Sequence, residues 1–218
     1  MREYELTITE TLAGIAPQEW RALAGENPTL QWAFLQSMIE AGCTTPETGW
    51  RPLFLTLRRD IAGQRTLTGA LPLYLKGHSY GEYVFDWAWA EAYHRHGLDY
   101  YPKLLSAVPF TPCTGARLMG LTEADRGILL NGALSLARDE DVSSLHVLFA
   151  DETENAKWTG AGLMARHSIQ FHWQNAGFKS FEEFLSTMSH DKRKRIRQER
   201  RKVRDAGVTF RRLAGTGI

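Results

Sequence analysis

Leu53-Phe-Leu-Thr-Leu57 and Leu67-Thr-Gly-Ala-Leu-Pro-Leu-Tyr-Leu-Lys76 are two strand-like apolar runs joined by a polar turn that contains Gly63. Runs of this length bounded by turn residues read as paired strands. Pro72 cannot donate a ladder hydrogen bond, so it is expected at an edge or a bulge. Upstream, Tyr4 to Ile8 alternates as a short strand. Pro17 opens a helix through Ala24, and Pro28-Thr29 starts a second one that Gly42 stops. Downstream, Tyr83 to Trp87 reads as a strand, with Trp87 and Trp89 in the core, and His96 to Val108 as a helix with Pro102 in its first turn. Pro109 to Gly115 breaks regular structure, and Arg117 to Gly120 returns as a short strand.

Thr122 then caps a helix through Ala137 with acidic residues in its first turn. Ser144 to Ala150 is a strand, Asp151 to Trp158 a short helix, Leu163 to Trp173 a long strand, and Ser180 caps another helix. Helices and strands alternate irregularly, with hairpins early and helix-connected strands later. The predicted class is α/β in the α+β sense: a mixed β-sheet flanked by helices, followed by a long basic helix.

With 218 residues, 43% of them apolar and seventeen Phe and Trp together, the chain can bury a sizeable core. Cys43 and Cys113 stand far apart, without metal-ligand spacing, so no zinc site or disulfide framework is expected. His94-Arg-His96 lacks a third ligand and reads as solvated loop, and no metal is expected. No apolar h-region follows the N-terminus, and no apolar run approaches the ~18 residues of a membrane span. The chain therefore reads as soluble and cytoplasmic.

The net charge of +1 conceals an asymmetry. His190 to Arg212 holds eleven Lys/Arg against three Asp/Glu, and the remainder is acidic. Ser189 to Gly207 has the start and stop signals of one helix, with Ile196 and Val203 as a thin apolar stripe. Two readings stand: a solvated connecting helix, or an anion-binding surface in which Lys192, Arg193, Arg197 and Arg201 meet the phosphates of transfer RNA or of a nucleotide-linked substrate.

His146 lies in an apolar run and reads as a hydrogen-bonded core residue. His172 alternates with Gln170 on one face of its expected strand, and Asn175 follows. On a cleft, Gln170 and Asn175 would orient a substrate amide or hydroxyl, and His172 is the candidate general base. The loop from Pro109 to Arg117 is either a rigid crossover packing Phe110 inward or a cleft wall. In the second case Thr111 is a substrate contact, and Lys103 or Arg117 neutralises a substrate carboxylate or phosphate.

Three stretches in this order carry a resemblance: Tyr100-Tyr-Pro-Lys through Leu118, Ser143-Ser-Leu-His-Val-Leu-Phe149 and Gln170-Phe-His-Trp-Gln-Asn-Ala-Gly-Phe178, the last leading into Phe181-Glu-Glu-Phe-Leu185 and the basic helix. Together they resemble the Fem-like (FemAB-like) family of bacterial proteins within the GNAT acyltransferase superfamily, linked to peptidoglycan biosynthesis. The resemblance runs from about Leu30 onward. It implies a GNAT-like fold and acyl or aminoacyl transfer to an amine, with acyl-CoA or aminoacyl-tRNA as candidate donors. It also implies two GNAT-like lobes: residues 1–188 as the first, 189–207 as the connecting helix, and 208–218 as the start of a second lobe otherwise missing here. GNAT enzymes cradle acyl-CoA pyrophosphate at a glycine turn opening a helix. The nearest match, Lys157-Trp-Thr-Gly-Ala-Gly162, precedes a predicted strand, so no cofactor is expected to be bound by a recognisable motif. The alternative to the transferase reading is a binding or scaffold module whose basic helix contacts RNA or another anionic partner.

Overall fold

The two runs around Leu53 and Leu67 form one long hairpin that the chain divides between two sheets. The computed structural model describes residues 3–213. Strand β1 (Tyr4–Thr9) pairs antiparallel with β3 (Phe54–Ile61), and β3 with β4 (Gln64–Leu71). The turn from β3 to β4 places Ala62 and Gly63 at φ 52° and 83°, the mirror-image geometry that suits the right-handed twist of a two-residue hairpin. Short β2 (Trp50–Pro52) and β5 (Tyr74–Lys76) continue the same two arms into the second sheet. At the break the Leu53 amide donates to the Leu73 carbonyl at 2.8 Å. Pro72 thus sits neither at an edge nor at a bulge but at the crossover between sheets, where Ser106 Oγ donates to its carbonyl at 2.8 Å.

The first sheet has strand order β1-β3-β4-β7, with β7 at Met119–Gly120. The second has order β2-β5-β6-β8, with β6 at Lys103–Ser106 and β8 at Leu145–Val147. Its β6–β8 pair is parallel and the rest are antiparallel. The fold is therefore mixed α+β, with two four-stranded sheets where one was expected. Alternation along β3 divides the core. Phe54 joins Trp20, Leu30, Leu35 and Trp50 on the side of α1 (Pro17–Ala24) and α2 (Trp32–Glu40). Leu55 and Leu57 join Leu129, Leu130, Ala133 and Leu136 of α4 (Glu123–Asp139) and Trp158 of α5 (Glu152–Gly160).

Three expected elements are corrected. His96 to Val108 is not a helix: Leu104 and Leu105 lie in β6, buried on both faces. Tyr83 to Trp87 is not a strand. Trp87 opens α3 (Trp87–Arg95), a helix without a buried residue, so Trp87 and Trp89 lie outside the core. Leu163 to Trp173 forms no strand and is largely exposed, with Phe171 97% accessible.

The chain divides into two compact units, Met1–Arg166 and His167–Ile218. The second unit holds α6 (Phe181–Ser186) and α7 (His190–Asp205). Residues 208–213 contain no regular element, and the remainder of the expected second-lobe strand lies outside the described residues. No helix among the described residues is long and apolar enough to cross a membrane.

Candidate functional site

The largest concentration of buried chemistry in the first unit surrounds Lys103. Strand β6 carries its ammonium into the interior, where the segment between β5 and α3 supplies the partners. Nζ donates to Asp86 Oδ2 at 2.5 Å, Ser79 Oγ at 2.8 Å and Glu82 Oε2 at 2.9 Å, and all four side chains are buried. Tyr100 donates to Asp86 Oδ2 at 2.8 Å, and its hydroxyl lies 3.4 Å from His146 Nε2, which Ser144 Oγ approaches at 2.9 Å. Lys76, the cross-strand partner of Lys103, donates to the Tyr80 carbonyl at 3.2 Å and stands 3.6 Å from the Trp50 ring centroid.

Burial and charge pull these groups apart. Burial raises the Glu82 carboxyl above its ordinary range. It pushes Asp86 upward too, but hydrogen bonds from Lys103, Ser79 and Tyr100 outweigh it and hold that carboxyl below its ordinary value. Burial lowers Lys76 to about 7. Burial, reinforced by Lys103, lowers His146 to about 4, so this histidine is neutral at physiological pH. Glu82 Oε1 and Asp86 Oδ1 are buried without a hydrogen-bond partner among the described residues. The cluster pins the segment between β5 and α3, and it contains groups that can hold a proton. In this conformation the Lys103 ammonium has no accessible surface and is occupied by internal anions.

Arg117 is also buried. Its guanidinium donates to the carbonyls of Leu148, Ala116 and Cys113, and its amide and that of Leu118 both donate to Glu154 Oε2 at 2.5 and 3.1 Å. Glu154 Oε1 accepts from Trp158 Nε1 at 2.9 Å. Thr111 is half-buried, with Oγ donating to the Pro109 carbonyl at 3.1 Å. Lys103, Thr111 and Arg117 thus belong to one unit but serve separate internal networks.

In the second unit Gln170 and His172 are exposed on a segment without regular structure, so no strand pleat sets them on one face. Asn175 closes a turn: its Oδ1 accepts from the Gly177 and Phe178 amides at 3.1 and 2.8 Å. Beside it, Trp173, Phe178, Phe181 and Phe184 line an open hollow of about 460 Å³. On α7, His190, Arg193, Lys194, Arg197, Gln198 and Arg201 border a second hollow of about 430 Å³. Arg193 is tied to the Ser186 and Met188 carbonyls, and Arg197 to Glu182 at 2.6 Å. Lys192 and Arg201 make no ion pair among the described residues.

Sequence reading missed Glu82, Asp86, Tyr100 and Glu154. The signal for the first two was present: they are the only acids in an otherwise uncharged aromatic segment, four residues apart.

The model of the FemAB-like family, described as peptidoglycan biosynthesis/recognition, matches residues 11–218. The chain belongs to the FemAB-like family. No curated protein and no solved structure matches it. The FemAB-like match takes in the Lys103 cluster, the Arg117–Glu154 network and the basic helix alike.

Proposed function

We propose that this FemAB-like chain serves N-acyl or aminoacyl transfer to an amine acceptor in peptidoglycan synthesis, as the first of two GNAT-like lobes. The observation that carries the reading is the family match over residues 11–218, a span that takes in most of the first unit and all of the second. In such a transfer the amine attacks the acyl carbonyl. The tetrahedral adduct then collapses and expels the thiolate of acyl-CoA or the ribose oxygen of aminoacyl-tRNA, and the ammonium proton passes to a base. His172 is the proposed base, because its imidazole can accept a proton and is exposed. Gln170 and Asn175 are its proposed companions for orienting the acceptor. Lys103, buried and ion-paired, and Arg117, buried and hydrogen-bonded to carbonyls, act on this reading by holding the first unit's loops in place.

The test is mass spectrometry of soluble peptidoglycan precursors incubated with the protein and either acyl-CoA or aminoacyl-tRNA. An acyl or aminoacyl mass increment on the acceptor amine is expected, reduced at least ~100-fold in His172→Ala. No increment with either donor, using protein whose reading frame extends past Ile218 into a second lobe, overturns the proposal. A reading frame that stops at Ile218 removes the two-lobe claim.

The cationic border of the α7 hollow favours a second reading, an RNA-binding or scaffold module. Transfer-RNA affinity falling steeply with salt, and abolished by reversing Arg193, Arg197 and Arg201 to Glu, would support it. Affinity unchanged by those reversals would remove it.

A further inference from the structure

Residues 77–86 cross from the end of β5 to the start of α3 and are fastened by side chains. Among the described residues, no backbone-to-backbone hydrogen bond ties 78–85 to any residue outside that stretch. Lys103 alone reaches Ser79, Glu82 and Asp86, three points along the segment. Tyr100 donates to Asp86, and the Tyr101 hydroxyl lies 2.8 Å from that of Ser79. The Tyr80 carbonyl accepts from Trp50 and Lys76, and the Phe85 carbonyl accepts from Arg166 at 2.8 Å. The segment is a strap buckled chiefly to residues 100–103. Helix α3 beyond it has an anchor of its own, Tyr93 packed edge-on against Tyr100 at 5.2 Å.

The buckle is imperfectly satisfied. One ammonium serves two carboxylates, and each leaves an oxygen, Glu82 Oε1 and Asp86 Oδ1, buried without a partner among the described residues. Such an oxygen has lost its water and gained no donor. The strap also holds Tyr83 at φ 60°, where a bulky side chain is disfavoured. Lifting the strap removes both costs. It leaves on the body a set of donors, Lys103 Nζ with the hydroxyls of Tyr100 and Tyr101, and Lys76 across the strand pair. Their acidic partners among the described residues are those of the strap. Asp86 Oδ2 accepts from Lys103 at 2.5 Å and from Tyr100 at 2.8 Å, so a cradle for a carboxylate oxygen is already built.

We infer that the strap is a gate over a carboxylate-binding site. Glu82 and Asp86 fill the site when the gate is closed, and the carboxylate of a ligand takes their place when it opens. The exchange replaces one carboxylate by another at the same donors, so the population of the open strap sets the apparent affinity. The inference goes beyond the transferase reading, which asks of Lys103 only that it hold the loops. That reading stands if the gate fails.

The experiment is amine labelling of the whole protein with succinimidyl acetate, read at Lys76 and Lys103 by mass spectrometry. Both side chains are fully buried, so neither labels unless the strap opens or the protein unfolds. A gate predicts labelling whose rate is insensitive to dilute urea, because local opening exposes little surface. Gly81→Ala leaves every charge in place. Its Cβ would stand 2.6 Å from Phe110 Cδ1, at φ 81°, in the closed strap alone. This variant should keep the wild-type circular dichroism and label both lysines about ten-fold faster. Acetate, compared with chloride at equal ionic strength, should at least halve the labelling of Lys103 relative to Lys76, because the ligand shields Lys103 while holding the strap off Lys76. Should Gly81→Ala misfold, the urea dependence and the acetate ratio of the wild type decide. Three results each overturn the inference: labelling that appears only with global unfolding; a ratio that acetate alters no more than chloride does; or a ratio lowered by inorganic phosphate and not by acetate.

Discussion

Lys76 and Lys103 are directly opposite one another across β5 and β6, both fully buried. Like charges in such a pair repel, and the structure resolves the conflict by giving them different fates. Lys103 takes both carboxylates. Lys76 receives one carbonyl and the face of Trp50, and its amine is pushed down to about 7 from an ordinary 10.5. Between those values the unfolded chain holds a proton that the folded chain has shed, so stability rises with pH through that window, by up to about 1.4 kcal/mol per unit. Lys76→Met keeps the stem and removes the titration. Urea unfolding across that range should give a wild-type profile that climbs relative to the variant; parallel profiles would refute the assignment. Glu154 makes a second residue-scale case. It satisfies the Arg117 and Leu118 amides and the Trp158 indole at once. Glu154→Ala strands three buried donors and should cost about 3 kcal/mol or more in the same measurement, with Glu154→Gln losing less.

Among the elements, α4 shows why some of the fold is legible in sequence. Thr122 and Asp125 form a reciprocal capping box, and the cap residue and first-turn acids could be read directly. What could not be read is that Asp125 Oδ1 also binds Arg59 of β3 at 2.7 Å, a partner 66 residues away. Burial raises the Asp125 carboxyl, but bonds from Thr122 and Arg59 prevail and hold it below its ordinary 3.8. The stability it confers is therefore present above about pH 4 and lost as pH falls through the folded value. Asp125→Ala should cost about 2–4 kcal/mol at neutral pH and lose less of its remaining stability on acidification than wild type does. Equal acid sensitivity in urea titrations would count against this. The misread elements fail where the periodicity of the residues does not match the partners available to them. Strand β6 is buried on both faces, so it lacks alternation and its leucines mimic a helix. The Trp-Ala-Trp-Ala start of α3 alternates like a strand, yet helix propensity prevails because no neighbouring strand pairs with it, and Tyr93 packs on Tyr100 instead. Leu163 to Trp173 alternates too, but alternation makes a strand only where a ladder accepts its amides. Lys103 and Arg117 stood out as isolated charges; the acids that bind the Lys103 ammonium and the Arg117 backbone amide lie 17 to 37 residues away and carry no spacing signal.

For the whole molecule, the division of apolar burial and of charge follows the same boundary. Every member of both hydrophobic clusters lies at or before Leu163. Residues 167–218 contain twelve Lys/Arg against five Asp/Glu, and Leu185 is their one buried hydrophobic among the described residues. Cooperative stability should accordingly reside in the first unit, whose 166 residues are ample for one domain. A chain ending at Arg166 should melt in a single transition within about 3 °C of the full protein, because losses below ~1 kcal/mol shift a domain of this size by no more than that. The complementary piece, 167–218, should show only weak helicity by circular dichroism: α7 has sixteen residues, repels itself along its basic face and buries none of them. A broad, early melt of the shorter chain would place essential stability beyond Arg166 and refute the assignment, as would a strongly helical isolated 167–218 for its own half of the prediction.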